Sequence, residues 1–145
     1  MPYRKLSQVM KTRELLTMPP TATVRAAVRS MAARHVGTVI VTERDGHLDG
    51  IFTERDLLAR VIAVGHDPDE MTLGQVMTDK PATITADDTV RDALLMMDGK
   101  AIRHLPVVDG DRVVGVVSMR DFFGEEVAVL DTQHELETQY SEHMR

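Results

Sequence analysis

The chain has 145 residues, 43% hydrophobic and 28% charged, with a formal net charge of −6, 3% aromatics and neither Cys nor Trp. That length suits one compact domain or two tightly joined halves, with a core of Val, Ile, Leu, Ala and the 10 Met. The acidic balance argues against general nucleic-acid binding, and the lack of Cys excludes a disulfide framework and a thiolate zinc site.

Residues 3–16 read as a polar, basic lead-in. Thr17-Met18 reads as a short strand closed by Pro19-Pro20. The spacing of Val24, Ala27, Val28 and Met31 predicts a helix over 21–34. The β-branched run 38–42 predicts a strand, Asp45-Gly46 a turn, and 48–52 the returning strand. Leu57, Leu58, Val61 and Ile62 predict a helix over 54–64, stopped by Gly65.

The same order then recurs. A short linking helix is expected over 71–77 and a strand over 83–85. Asp87 and Asp88 precede a helix over 90–99. Strands are expected over 105–108 and 113–117, joined by an Asp109-Gly110-Asp111 turn. Pro106 favours an edge or a strand start, because it has no N–H to give a ladder. From Met119 the pattern stays helical to about Tyr140, through Phe122, Phe123, Val127, Leu130 and Leu136. This predicts a terminal helix that covers a surface or meets a partner chain.

The recurrence is an internal repeat. Thr23-Val24-Arg25-Ala26-Ala27 matches Thr89-Val90-Arg91-Asp92-Ala93 at an offset of 66, and Met31 matches Met97. Ser7-Gln8-Val9-Met10 matches Gly74-Gln75-Val76-Met77, so the lead-in belongs to the repeat. Each copy ends in one signature: Gly50-Ile51-Phe52-Thr53-Glu54-Arg55-Asp56 and Gly115-Val116-Val117-Ser118-Met119-Arg120-Asp121. The offset there is 65, which puts one extra residue in the first turn, around 43–48.

Each signature should sit where a strand ends and a helix begins. Thr53 and Ser118 are then N-caps with an acid three residues on, an ordinary capping box. The same groups suit an anionic or sugar ligand. A hydroxyl can donate to a phosphate or ribose oxygen, a carboxylate one turn later can accept from two ribose hydroxyls, and an Arg can meet a phosphate. Capping alone does not require the same Gly, hydroxyl, Arg and Asp twice.

The six His form no helical pair at metal-ligand spacing, so no metal site is expected. No nucleophile–base–orienter set stands out, so no enzyme is expected. No apolar run could serve as a signal peptide or membrane span, so the expected location is cytoplasmic.

The order strand, helix, strand, strand, helix, closing on Gly-h-h-[Ser/Thr]-x-x-Asp (h is apolar), resembles the cystathionine-β-synthase (CBS) domain. Further marks are Val76-Met77-Thr78, the Asp-x-Thr-Val-x-x-Ala helix start from Asp87 to Ala93, and the Leu105-Pro106-Val107-Val108-Asp109 strand. The likeness is to the tandem, stand-alone Bateman module type, and also to the regulatory insert of inosine monophosphate dehydrogenase without its catalytic barrel. It implies an α+β fold: two β-α-β-β-α repeats, 7–66 and 67–124, packed as a pseudo-twofold module, with a C-terminal helix over 125–145. It also implies a homodimer and up to two clefts for AMP, ADP, ATP, NAD or S-adenosylmethionine, with no catalytic cofactor.

Carried over residue by residue, one cleft would combine Leu16, Val36, Gly37 and Thr38 with Val116, Ser118, Arg120 and Asp121. The other would combine Lys80, Ala82, Ile102, Arg103 and His104 with Ile51, Thr53, Arg55 and Asp56. Asp56 and Asp121 would hold the ribose diol. Thr53 and Ser118 would touch ribose or phosphate. Strand backbone at 36–38 and 102–104 would read the adenine edge, and Arg55, Arg103, His104 and Arg120 would serve phosphates. Gly37-Thr38 in one repeat against Arg103-His104 in the other makes the clefts chemically unequal. The alternative is an interaction module whose clefts stay empty and which regulates a partner enzyme in trans.

Overall fold

The computed structural model describes residues 3–10, 15–44 and 46–122. Its elements are α1 (Leu6–Val9), β1 (Thr17–Met18), α2 (Val24–Arg34), β2 (Thr38–Val41), β3 (Gly50–Thr53) and α3 (Glu54–Asp56), which runs on as a π-helix over Leu57–Ile62. Then come α4 (Leu73–Val76), β4 (Thr78–Asp79), β5 (Ile84–Thr85), α5 (Val90–Lys100), β6 (His104–Asp109), β7 (Arg112–Ser118) and a 3₁₀ turn over Met119–Asp121. This is a mixed α+β fold with a four-stranded sheet, β1-β2-β3-β4, and a three-stranded sheet, β5-β6-β7. The C-terminal helix expected over 125–145 lies outside the described residues.

The described residues fall into two compact units. Of these residues, one unit draws on those between 15 and 82 and on 108–115, the other on 3–10, 83–107 and 116–122. In the first, β1 pairs parallel to β2, and β2–β3 and β3–β4 are antiparallel. The β2–β3 register sets Val39 opposite Phe52 and Thr38 opposite Thr53. Successive side chains alternate between faces. Val39, Val41 and Phe52 therefore share the face that packs with Leu16, Val24, Ala27, Met31, Val61, Leu73 and Val76 as one core. The hairpin tip of the second repeat also belongs here, through an N–H from Val113 to the Gly46 carbonyl at 2.9 Å and a bridge between His47 and Arg112. In the second unit Val90, Ala93, Leu94, Met97, Leu105, Val107 and Val117 are all buried, repeating the pattern of the first.

The lead-in and the connector play the same part in opposite units. Lys5 bridges Thr89, and the Val90 N–H donates to the Arg4 carbonyl at 2.8 Å. Thr72 bridges Thr23, and the Val24 N–H donates to the Met71 carbonyl at 2.9 Å. Each short helix starts alike, with Gln8 accepting from Lys5 N–H at 2.8 Å and Gln75 from Thr72 N–H at 2.9 Å. The segment before repeat one thus caps the helix of repeat two, and the segment before repeat two caps the helix of repeat one.

Four expectations need correction. α2 starts at Val24, not at Thr21, because the Thr23 side chain accepts from Ala26 N–H and fixes the N-cap there. The helix expected over 54–64 widens into a π-helix, and its four apolar residues do not share one buried face. Val61 is fully buried, whereas Leu58 is 66% and Ile62 52% exposed. The helix expected from Met119 onward is broken at Phe122, whose backbone is extended, after a single 3₁₀ turn. Pro106 is the third residue of β6, the middle strand of its sheet. The matching donor of repeat one, Ile40 N–H, goes to Leu16, outside β1. A proline at that place gives up a bond beyond the short outer strand, not one inside the ladder.

Candidate functional site

The two signature turns are built alike. Thr53 N–H donates to Asp56 Oδ2 at 3.0 Å, and Asp56 N–H donates to Thr53 Oγ1 at 3.2 Å. Ser118 N–H donates to Asp121 Oδ2 at 2.7 Å, and the Ser118 hydroxyl lies 3.3 Å from the same oxygen. Both are capping boxes, as the spacing predicted. Capping engages Oδ2 in each case, and a carboxylate has about four acceptor sites, so the cap leaves further acceptor capacity. Asp56 is 9% exposed and its Oδ1 lies 3.6 Å from Arg60 Nε. Arg60 also donates to the Met77 carbonyl at 3.0 Å and the Val76 carbonyl at 3.3 Å. It fastens the turn to the end of α4, a role the sequence reading missed.

The glycine that opens the first signature has a steric reason. A Cβ on Gly50 would lie 2.7 Å from the Thr78 carbonyl oxygen, so β3 and β4 could not pair at this distance.

Beside each turn lies the strand end of the same repeat. The Glu54 N–H donates to the Gly37 carbonyl at 3.1 Å, and the Met119 N–H donates to the Arg103 carbonyl at 3.2 Å. The structure therefore brings Gly37 and Thr38 next to Thr53, and Arg103 and His104 next to Ser118. Ile51 is buried and pairs with Ile40 on β2. Leu16 is buried, Val36, Ala82, Ile102 and Val116 are half-buried, and Arg55, Lys80, Arg103 and Arg120 are exposed. Lys80 has a left-handed backbone, φ 46°, and its N–H donates to the Asp49 carbonyl at 3.3 Å. Thr38 is 9% exposed, and its Oγ1 is buried with no hydrogen-bond partner among the described residues.

Among the described residues no group of three or more His, Asp or Glu could hold a metal ion. No helix among them is long and apolar enough to cross a membrane.

The family model of the CBS domain matches residues 6–63 and 73–127. A CBS domain-containing protein of Arabidopsis thaliana, CBSCBSPB3, is 37% identical over 110 residues, covering 76% of this chain. The chain spans 20% of that relative's length. A solved CBS domain protein from Pyrobaculum aerophilum, complexed with AMP, is 29% identical with a TM-score of 0.77, over 88% of this chain and 98% of that one. A hexameric CBS-CP12 protein from bloom-forming cyanobacteria is 26% identical with a TM-score of 0.78, over 98% of this chain and 81% of that one.

Proposed function

This chain belongs to the CBS domain family, and we propose that it is a regulatory module sensing an adenine nucleotide or a related adenosyl ligand. The observation that carries the reading is the signature turn built twice. Each has a capped carboxylate and a hydroxyl residue beside a strand end of its own repeat. The AMP complex of a neighbour that covers 88% of this chain supports the ligand class.

In this reading the chain is organised as repeats 7–66 and 67–124 with a tail from 125. Asp56 and Asp121 hold ribose hydroxyls, Thr53 and Ser118 touch ribose or phosphate, and backbone at 36–38 and 102–104 meets the adenine edge. Leu16, Ile51, Ala82 and Val116 give apolar contact, and Arg55, Lys80, Arg103, His104 and Arg120 supply positive or donor groups. The module is cytoplasmic, performs no catalysis, and passes its state to a partner enzyme in trans. Micromolar binding requires about −8 kcal/mol, which a preformed site of this kind can supply. Sensing further requires that the ligand favour one conformation over another.

The test is calorimetric titration with AMP, ADP, ATP, NAD and S-adenosylmethionine. At least one should bind well below about millimolar, and Asp56→Asn or Asp121→Asn should weaken it. If none binds, the sensing claim fails. If both variants bind as the unaltered protein does, the ribose assignment is wrong.

A homodimer is proposed on a separate observation. Leu58, Ile62 and Val64 are 66%, 52% and 60% exposed within one short stretch, an apolar surface suited to a second copy. Leu58→Asp should shift the sedimentation coefficient toward that of a monomer. An unchanged coefficient removes this face from the interface. Nucleotide-free protein that co-purifies with an enzyme would favour the interaction-module alternative.

A further inference from the structure

Thr38 opens β2, a run that continues Val39-Ile40-Val41 and is buried throughout. Its side chain lies on the face opposite the Val39, Val41 and Phe52 core, together with Ile40, Ile51 and Thr53. Valine has nearly the same shape and an equal liking for strands, so packing does not call for a hydroxyl here. The hydroxyl has a cost, because a buried polar group without a partner loses its bonds to water and gains none. The obvious partner is Thr53, directly across the ladder. Thr53 Oγ1 instead accepts from Asp56 N–H, and Thr38 Oγ1 makes no hydrogen bond among the described residues. The corresponding place in repeat two holds His104, so the buried hydroxyl belongs to repeat one alone.

We infer that the Thr38 hydroxyl is a ligand-contacting group, and that the polar edge of a bound adenine ring supplies its hydrogen bond. This rests on the adenosyl reading and deepens it, because it moves recognition at this strand end from backbone alone to one side chain. The hydroxyl can donate to a ring nitrogen or accept from an amino group. Since its oxygen is shielded from water, binding has to uncover it.

Two variants test the inference, with AMP as the probe. Thr38→Val should weaken AMP binding about tenfold, the equivalent of one lost hydrogen bond. The same variant should melt about 3 °C higher, because it removes an unsatisfied buried hydroxyl. Thr38→Ser keeps the hydroxyl and should bind AMP within about threefold of the unaltered protein. The opposite signs of the first two effects separate this role from a structural one. A lower Tm in Thr38→Val would reveal an internal partner and overturn the inference, as would AMP affinity unchanged by that substitution. If the unaltered protein binds neither AMP nor any of the other adenosyl compounds, the adenosyl reading itself falls and this inference falls with it. If it binds one of the others and not AMP, the same comparison of variants with that compound decides the inference.

Discussion

The two repeats share a backbone plan and differ in what they hang on it. Both end their main helix on a left-handed residue that is not glycine, His35 at φ 55° and Ala101 at φ 54°, with the following N–H donating five residues back, to Met31 and to Met97. Both close on a capping box of the same geometry. Past the caps they part. Repeat one continues into a π-helix and ties Asp56 to Arg60, whereas repeat two makes one 3₁₀ turn and becomes extended at Phe122. Repeat one puts Phe52 in its core where repeat two has Val117, and Ile40 where repeat two has Pro106. Duplication has preserved the backbone frame of the two turns. The side chains set into that frame have diverged, and these are what make the two turns chemically unequal.

The largest expected effect comes from the core difference. Phe52 is fully buried at the centre of the first unit's core. Phe52→Ala should cost about 4 kcal/mol in denaturant unfolding, the sum of lost transfer energy and an unfilled cavity. Val117→Ala, at the equivalent and equally buried place, should cost about 2 kcal/mol, because less apolar surface is lost. Equal costs would mean that the two cores are not organised around these positions.

A smaller effect separates the middle strands. Ile40 N–H donates to the Leu16 carbonyl at 2.9 Å. Ile40→Pro should cost about 3 kcal/mol, combining an unsatisfied carbonyl with lost side-chain packing. Pro106→Ile should be neutral or stabilising by up to about 1 kcal/mol, since it restores a donor. A large loss from Pro106→Ile would show that repeat two has adapted to its proline and no longer keeps the geometry of repeat one.

Much of this plan was legible in the residues. The offset of the two signatures located both caps, because Gly, hydroxyl and acid at fixed spacing make one local geometry whatever surrounds them. The apolar period of Val24, Ala27 and Met31 marked the buried face of α2, although the start came three residues late because Thr23 takes the N-cap. The π-helix was not legible. Leu57, Leu58, Val61 and Ile62 fit an ordinary helical face, and hydrogen bonds five residues apart change which of them point inward. The left-handed caps were hidden too, because Ala carries no signal for positive φ and His only a weak one. For the candidate site, residue type suggested the groups, but only the fold set Thr38 opposite Thr53 with its hydroxyl unpaired among the described residues. The exchange of lead-in and connector also needed the fold, since nothing in Lys5 or Thr72 specifies which helix it will meet.

The smallest expected effect concerns that exchange. At the start of α2, the Arg25 Nε and Nη2 donate to the Asp69 carboxylate at 2.8 and 3.2 Å, and Arg25 N–H donates to the Pro68 carbonyl at 3.0 Å. At the start of α5 the lead-in offers Arg4 and Lys5 instead of an acid. The connector therefore has an ionic fastening to its helix through Arg25 and Asp69. Hydrogen bonding to Arg25, together with its charge, holds the Asp69 carboxyl below its usual range, and Asp69 in turn raises Arg25. A carboxyl whose pKa is lowered by folding stabilises the protein above its unfolded pKa. That contribution disappears as pH falls through the lowered folded value. Both side chains are well exposed, so solvent and salt screen the pair and the gain is slight. Asp69→Asn should lower Tm slightly at neutral pH, and the gap to the unaltered protein should close as pH falls through and below the usual carboxylate range. High salt should close it as well. A gap that persisted in acid and in high salt would mean that the Asp69 side chain acts through its hydrogen bonds to Arg25 and not through its charge.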